Sequence, residues 1–178
     1  MKKQYRLGRL AGLELSYRRS IFPVFIILWL ILSAVGLLVL DLSPLSALAG
    51  GLVAALLHYV SELWHQLGHA AAARRTGHRM TGVVFWAALS TSLYPKEEGD
   101  LPGGIHIKRA LGGPIGSLRL SLAAGLLALA LKPSGGAAYW TTLFLCIDNL
   151  LVFGLGSLLP LGFTDGSTLL YWMKKRAI

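Results

Sequence analysis

The longest apolar runs of the sequence constrain its fold more than any other feature. Residues 20–40 and 42–61 contain no Asp, Glu, Lys or Arg, and residues 110–131 and 133–164 contain one such residue each. A helix needs about 20 apolar residues to cross the hydrocarbon core of a bilayer. The four runs therefore predict an α-helical integral membrane protein with four transmembrane helices.

The composition agrees with a membrane protein. Charged residues make up only 14% of the 178 residues, whereas a soluble domain has about 25%, so a soluble globular fold is excluded. The single cysteine, Cys146, excludes a disulfide scaffold. The 17 Lys and Arg residues outnumber the 8 Asp and Glu residues, but these bases form short clusters between the apolar runs. That distribution is typical of membrane proteins and does not indicate a nucleic-acid partner.

The basic clusters also predict the direction of the spans. Fifteen of the 17 bases lie before the first apolar run, between the second and the third, or after the fourth. Cytoplasmic loops carry the excess of Lys and Arg, so both termini are expected in the cytoplasm. We interpret residues 1–178 as one membrane-embedded domain. Its four spans are expected at about residues 20–40, 42–64, 110–131 and 137–159.

A fifth apolar stretch, residues 80–94, has only 15 residues, which is short for a spanning helix. It is rich in β-branched and aromatic residues, which favour strands. If it were a span, Arg74 and Arg75 would lie on the opposite side of the membrane from Lys108 and Arg109. The stretch therefore predicts a short membrane-associated β-hairpin.

Two histidines near the end of the second span form a candidate metal site. His65 and His69 are four residues apart, so their side chains lie on the same face of a helix. Imidazole nitrogens are preferred ligands of Zn²⁺, which in catalytic sites also takes a carboxylate and leaves one position open. The spacing alone is equally compatible with a pair of interfacial histidines near a helix end.

Two further motifs follow the histidine pair along the chain. HQLGHAAAARRTG at residues 65–77 is followed by LGGP at residues 111–114 and LLPLGFTDG at residues 158–166. In this order the three motifs resemble those of the site-2 protease family of intramembrane zinc metalloproteases. The resemblance implies one Zn²⁺ held by His65, His69 and Asp165. It fits the predicted topology, in which the second and fourth spans both end on the cytoplasmic side.

The same resemblance implies a hydrolase that is embedded in the lipid bilayer. Such an enzyme cuts transmembrane segments of other membrane proteins, here near the cytoplasmic face, in regulated intramembrane proteolysis. We expect a multi-pass protein of a prokaryotic plasma membrane. Its regulation is expected to come from a membrane partner or from the substrate protein.

The chain departs from the family pattern at Gln66. The zinc-protease signature His-Glu-x-x-His has its general base at this position, and a glutamine cannot accept the proton of a water molecule. The chain as written is therefore expected to be nearly inactive. Gln66 is either an engineered replacement of a glutamate, which we favour, or the mark of a natural pseudoprotease that binds membrane clients. A small metal transporter using His58, His65 and His69 is a further alternative.

Substrate contacts are expected at the hairpin and in the fourth span. Residues 83–93 resemble the membrane-embedded β-hairpin of the family, and an exposed strand edge can pair with an extended peptide. Val84, Phe85 and Ala87 are therefore candidate substrate-binding residues. Asn149 is a candidate for positioning the substrate backbone.

Three further groups of polar residues lie in the predicted spans and in the loop before the third span. Glu62 lies one turn before His65, where it either lines a water path, which we favour, or substitutes for the missing base. Arg119 and Asp148 are expected to form an ion pair between the third and fourth spans. Residues 96–104 are expected to form a solvated connector.

Overall fold

The computed structural model describes residues 3–176, so Lys2, one of the N-terminal bases, lies outside the described residues. The described chain combines helices with one small sheet. The last span continues after Asp148 through a π-helical turn, Asn149–Leu155, and a 3-10 turn, Gly156–Leu158. In chain order the elements are β1 (Tyr5–Leu10), β2 (Leu13–Tyr17), α1 (Ile21–Leu38), α2 (Pro44–Arg75), β3 (Gly82–Trp86), β4 (Leu89–Leu93), α3 (Gly103–Leu131), α4 (Gly136–Asp148) and α5 (Asp165–Arg176).

Four helical segments are long and apolar enough to cross a membrane, in agreement with the four predicted spans. They are α1, α2, α3 and the segment Gly136–Leu158. Two of them are longer than predicted, since α2 continues to Arg75 and α3 begins at Gly103. Hydropathy marks only the part of a helix that lies in lipid, whereas 32 residues of α2 extend about 48 Å. The extra turns contain basic residues, Arg74 and Arg75 in α2 and Lys108 and Arg109 in α3.

The ends of α2 follow from local sequence. Ser43 caps the N-terminus by accepting a hydrogen bond from the backbone N–H of Ser46 at 3.4 Å, and Pro44 occupies the first turn, where its missing N–H costs nothing. The helix stops at Thr76, and Gly77 adopts a positive φ of 79°. Glycine is favoured there because it has no Cβ.

The predicted hairpin is present, but it is half of a larger sheet. The strand order is β1-β2-β3-β4, in which β2 pairs with β3 in parallel and the other two pairs are antiparallel. β3 is therefore an internal strand, and β4 is at one edge. The backbone around Val84 and Phe85 is already paired on both sides, so the predicted docking of a peptide on these residues does not fit the structure.

The helices α2 and α3 approach closely at two glycines. A Cβ atom on Gly68 would collide with the carbonyl oxygen of Gly112, and a Cβ on Gly112 would lie 2.6 Å from the side chain of Ala72. Small residues allow the backbones of membrane helices to come into contact. This crossing sets the end of α2 against the beginning of α3.

The buried polar groups of the spans bond between helices, but not in the expected pairs. Asp148 lies 3.1 Å from Nδ1 of His58, whose Nε2 donates to the carbonyl of Ala88 at 3.0 Å. Arg119 is exposed on α3. The predicted Arg119–Asp148 pair is therefore wrong, because α3 turns Arg119 away and α2 presents His58 to α4 instead.

Substituting Gly68 tests the helix crossing. Gly68→Ala should destabilise the protein by about 1–3 kcal/mol, the usual range for overpacking, because the new methyl group overlaps the Gly112 backbone. Gly50→Ala is the matched control, since it lies on the same helix and has open space around its Cβ position. It should be neutral or slightly stabilising, given the better helix propensity of alanine. Equal melting temperatures in detergent for the two variants would contradict the close approach.

Candidate metal centre

The two histidines of α2 face each other at the helix crossing. Their ring centroids are 4.6 Å apart, and the two Nε2 atoms are separated by 3.0 Å. Both side chains are buried. The four-residue spacing thus places the two imidazoles next to each other in the protein interior, as helix periodicity requires.

Asp165, the first residue of α5, completes the cluster from the other end of the chain. Its Oδ2 lies 3.1 Å from Nε2 of His65, and its Oδ1 lies 3.3 Å from Nε2 of His69. One donor atom from each of the three residues lies within 4.8 Å of the other two. The site residues predicted from two distant motifs are therefore brought together, although their role as zinc ligands stays a prediction.

The segment before α5 explains how Asp165 reaches the histidines. The hydroxyl of Thr164 donates to the carbonyl of Leu159 and accepts from the N–H of Leu161, which folds the chain into a tight turn. A Cβ atom on Gly166 would overlap the backbone of Leu158 and Leu159. The Asp-Gly pair thus lets α5 begin directly against the end of the last span.

The second nitrogen of each ring is held from α3. Nδ1 of His69 lies 2.8 Å from the carbonyl oxygen of Arg109, and Nδ1 of His65 lies 3.1 Å from the hydroxyl of Ser117. A proton on Nδ1 leaves the lone pair of Nε2 free for a metal ion. Both Nε2 atoms face the carboxylate of Asp165.

The donor set fits a metal ion of zinc size. A tetrahedral Zn²⁺ with ligands at about 2.0–2.1 Å separates its donors by about 3.3 Å. The two Nε2 atoms lie 3.0 Å apart, and each lies 3.1 or 3.3 Å from a different oxygen of the Asp165 carboxylate. Gly113 leaves room for the two imidazoles, because a Cβ atom at this position would collide with both Nε2 atoms. Burial alone would raise the pKa of Asp165, but the neighbouring His69 and His65 lower it to about 2. The carboxylate is therefore ionised at neutral pH.

Gln66 is fixed by two neighbours. Its Oε1 accepts a hydrogen bond from Ser92 of β4 at 2.7 Å, and its Nε2 donates to Oε1 of Glu62 at 3.3 Å. Glu62 in turn accepts a bond from the hydroxyl of Ser90. The position expected for a base therefore holds an ordered neutral amide.

A cavity of about 540 Å³ opens beside these residues. One wall is formed by the α2 side chains from Glu62 to His69, and another by β4, from Leu89 to Ser92. Val84, Phe85, Ala87 and Asn149 are absent from the lining that the described residues form.

Each of these four residues contacts other parts of the protein instead of the cavity. Asn149 is fully buried and donates to the hydroxyl of Ser61 at 2.8 Å. The carbonyl of Ala87 accepts a bond from Tyr59 at 2.6 Å, and Val84 and Phe85 are buried in the internal strand. The alternation of Ser90 and Ser92 along β4 was the available sequence signal for the strand that faces the cavity.

Sequence reasoning missed a role for Arg109. Its guanidinium binds both carboxylate oxygens of Glu98, at 2.5 and 2.8 Å, donates to the carbonyl of His78 and lies 4.1 Å from the centre of the Tyr94 ring. The same residue holds His69 through its carbonyl. Glu98 therefore ties residues 96–104 to the site, and this segment is more than the predicted solvated connector.

His58 is separate from the metal cluster. Its two nitrogens are engaged by Asp148 and Ala88, and the buried ring of Phe153 packs against both His58 and His65. The three-histidine path of a metal transporter is therefore not formed in this structure.

Comparisons with known proteins place the fold. No protein-family model and no curated protein sequence matches this chain. Among solved structures, the site-2 protease from Methanocaldococcus jannaschii is similar, with a TM-score of 0.64 and 17% sequence identity over 98% of this chain and 73% of that chain. The chain therefore has the fold of that site-2 protease, which agrees with the predicted helical architecture, although the predicted hairpin is part of a four-stranded sheet.

The ion pair of Glu98 gives a prediction that depends on pH. The hydrogen bonds from Arg109 lower the pKa of Glu98 below its ordinary 4.5. The stabilisation is therefore complete above pH 4.5 and is lost as the pH falls through the lower pKa of the folded state. Glu98→Gln should reduce stability by about 1–3 kcal/mol at pH 7, and the difference in melting temperature from the parent should shrink below pH 4.5.

Glu97→Gln is the control for this experiment, since Glu97 is exposed on the same segment and should change little at either pH. A difference for Glu98→Gln that stays constant between pH 7 and pH 3.5 would contradict the ion pair as its source.

Proposed function

We propose that this chain is a zinc-dependent intramembrane endopeptidase that cleaves transmembrane segments of other membrane proteins. The observation that carries the proposal is the buried His65–His69–Asp165 cluster, whose three donor atoms lie within 4.8 Å of one another. The site-2 protease fold supports it. A bound Zn²⁺ supplies a Lewis acid for water and for the scissile carbonyl.

The protein residues orient this chemistry. Ser117 and the Arg109 carbonyl fix the two imidazoles, and Gly113 leaves space in front of them. Gln66 lines the same cavity and can hold a water molecule by hydrogen bonds, but it cannot take its proton. We therefore propose that hydrolysis is strongly slowed in the chain as written.

Two origins would account for the glutamine at position 66, an engineered exchange or a natural pseudoprotease. Glutamate and glutamine have nearly the same shape, so a glutamate at this position would keep the bond from Ser92, but it would keep the bond to Glu62 only if one of the two carboxyl groups were protonated. A natural pseudoprotease that binds clients would have the same arrangement. We retain the engineered exchange as our interpretation, because all three proposed metal ligands are kept.

Substrate is proposed to bind along β4. A helical segment holds its carbonyls in its own hydrogen bonds, so it must unwind before a peptide bond can be cut. Within residues 3–176, β4 pairs only with β3, and its residues 89–92 line the cavity. An extended peptide added to this edge would run past the proposed metal site.

The membrane orientation is also a proposal. The clusters of bases favour both termini in the cytoplasm of a prokaryotic cell, with the metal centre at the cytoplasmic ends of α2 and of the last span. Partners are then a transmembrane substrate and a membrane protein that regulates access.

Removing Asp165 tests the metal site. The parent is expected to bind about one Zn²⁺ per chain, and Asp165→Asn should weaken binding by well over tenfold, since loss of an outer partner alone costs about 10–100-fold. Metal analysis and competition with a chelator measure both values. Asp100→Asn, on an exposed loop, should bind zinc like the parent.

Two results would speak against the endopeptidase. Unchanged zinc affinity in Asp165→Asn would remove Asp165 from the ligand set. Zinc flux across liposomes containing the parent protein would support the transporter alternative.

Restoring a carboxylate at position 66 tests the activity. Gln66→Glu should raise cleavage of transmembrane substrates by about 10²–10⁴-fold, the usual contribution of general acid–base catalysis. Cleavage is measured with a panel of substrates co-reconstituted in liposomes. The control is Gln4→Glu, since Gln4 is an exposed glutamine outside the helices. Absence of cleavage by the zinc-loaded Gln66→Glu protein across the panel would count against the protease.

A further inference from the structure

Glu62 is a buried acid without a cationic partner. It is 3% exposed and lines the cavity of the metal centre. Its contacts are the neutral side chains of Gln66 and Ser90. Among the side chains described for residues 3–175, no Lys, Arg or His nitrogen lies within 4.0 Å of its carboxylate. A buried, unpaired carboxylate is costly, so its presence needs a functional reason.

The helix geometry places Glu62 in line with the site. Glu62 stands three residues before His65, as Gln66 stands three residues before His69, so both side chains lie on the cavity face of α2. Four residues along a helix correspond to a rise of about 6 Å. The backbone position of Glu62 is therefore one turn before that of the usual protease base, a separation that one bridging water molecule can span.

We propose that Glu62 is the proton acceptor of this site, acting through one intervening water that Gln66 holds. The inference rests on the proposed function and assigns the residual activity of the chain to Glu62. The attacking water gives a proton to the intervening water, which passes a proton to the carboxylate of Glu62. As the C–N bond breaks, the protonated Glu62 returns this proton along the same path to the leaving amine.

A purely structural role for Glu62 makes a different prediction. The carboxylate accepts bonds from Ser90 and from Gln66, so it could serve only to anchor β4 and the amide. A glutamine at position 62 retains an oxygen for both bonds but cannot take a proton. Glu62→Gln therefore separates proton acceptance from anchoring, and Ser90→Ala removes one anchor while keeping the carboxylate.

The test uses a ligand that must lose a proton on binding. Acetohydroxamic acid binds zinc as its anion, so its affinity depends on a nearby proton acceptor. We expect Glu62→Gln to bind zinc like the parent and acetohydroxamate about tenfold or more weakly. It should also lose the remaining cleavage activity. In Glu62→Asp, hydroxamate affinity should be partly retained, and the loss in Ser90→Ala should be clearly smaller than that in Glu62→Gln, because Ser90→Ala keeps the carboxylate.

A second carboxylate provides an internal check. In the Gln66→Glu background, the new carboxylate stands beside the metal ligands and can take the proton itself. Glu62→Gln should therefore have a much smaller effect on hydroxamate affinity there than in the parent.

The outcomes separate this inference from the proposed function. If the parent binds zinc and hydroxamate and Glu62→Gln binds both equally well, the role of Glu62 is overturned while the metal site stands. Equal losses in Ser90→Ala and Glu62→Gln would do the same, by identifying Glu62 as an anchor. A parent chain that binds no zinc would overturn the metal site and this inference together. If Glu62→Gln fails to fold, Glu62→Asp decides, since hydroxamate affinity equal to that of the parent at every pH overturns the role and a shifted pH profile supports it.

Discussion

The close approach of α2 and α3 at Gly68 and Gly112 is the contact on which the rest of the site depends. It brings the backbone of Gly113 against both imidazoles and places Ser117 and the Arg109 carbonyl at the two Nδ1 atoms. A single side chain larger than hydrogen at the crossing would separate these helices. The metal centre is therefore a consequence of small residues on two helices as much as of its three donor side chains.

The apolar surroundings impose a second constraint, because a polar group inside the bundle needs a partner within the protein. Asp148 bonds to His58 through Oδ1, and the amide nitrogen of Asn149 donates to Ser61 and to the carbonyl of Leu145. These contacts join the last span to α2 just above the metal centre. They fix the span that leads to Asp165, so the third proposed ligand is positioned from inside the membrane region as well as by its own turn.

The sequence predicted the features that depend on local pattern. Apolar length identified the four spans, helical spacing joined His65 to His69, and three ordered motifs indicated the fold that the structural comparison confirms. Non-local choices were not predictable. No local sequence pattern predicts that β2 pairs in parallel with β3. Because of that pairing, the strand of Val84 is internal and β4 lies at the edge of the sheet.

The same limit applies to the partners of single charges. Both His58 and Arg119 were available to Asp148, and the rotation of the helices about their axes decides between them. Arg109 appeared in the sequence as one base of a topogenic cluster. Only the fold reveals that it holds Glu98 with its side chain and His69 with its carbonyl.

The acids near the site show why a neutral residue at position 66 is consistent with its surroundings. Asp148 and Asp165 face imidazoles, and Glu98 faces a guanidinium. Glu62 alone faces neutral donors, one of which is the amide of Gln66. A glutamate at 66 would put two carboxylates in contact at this buried point, and like charges so close cannot both ionise. Charge at position 62 and neutrality at position 66 therefore support each other, which is the arrangement expected if the proton-accepting carboxylate of this site lies one helical turn before the usual position.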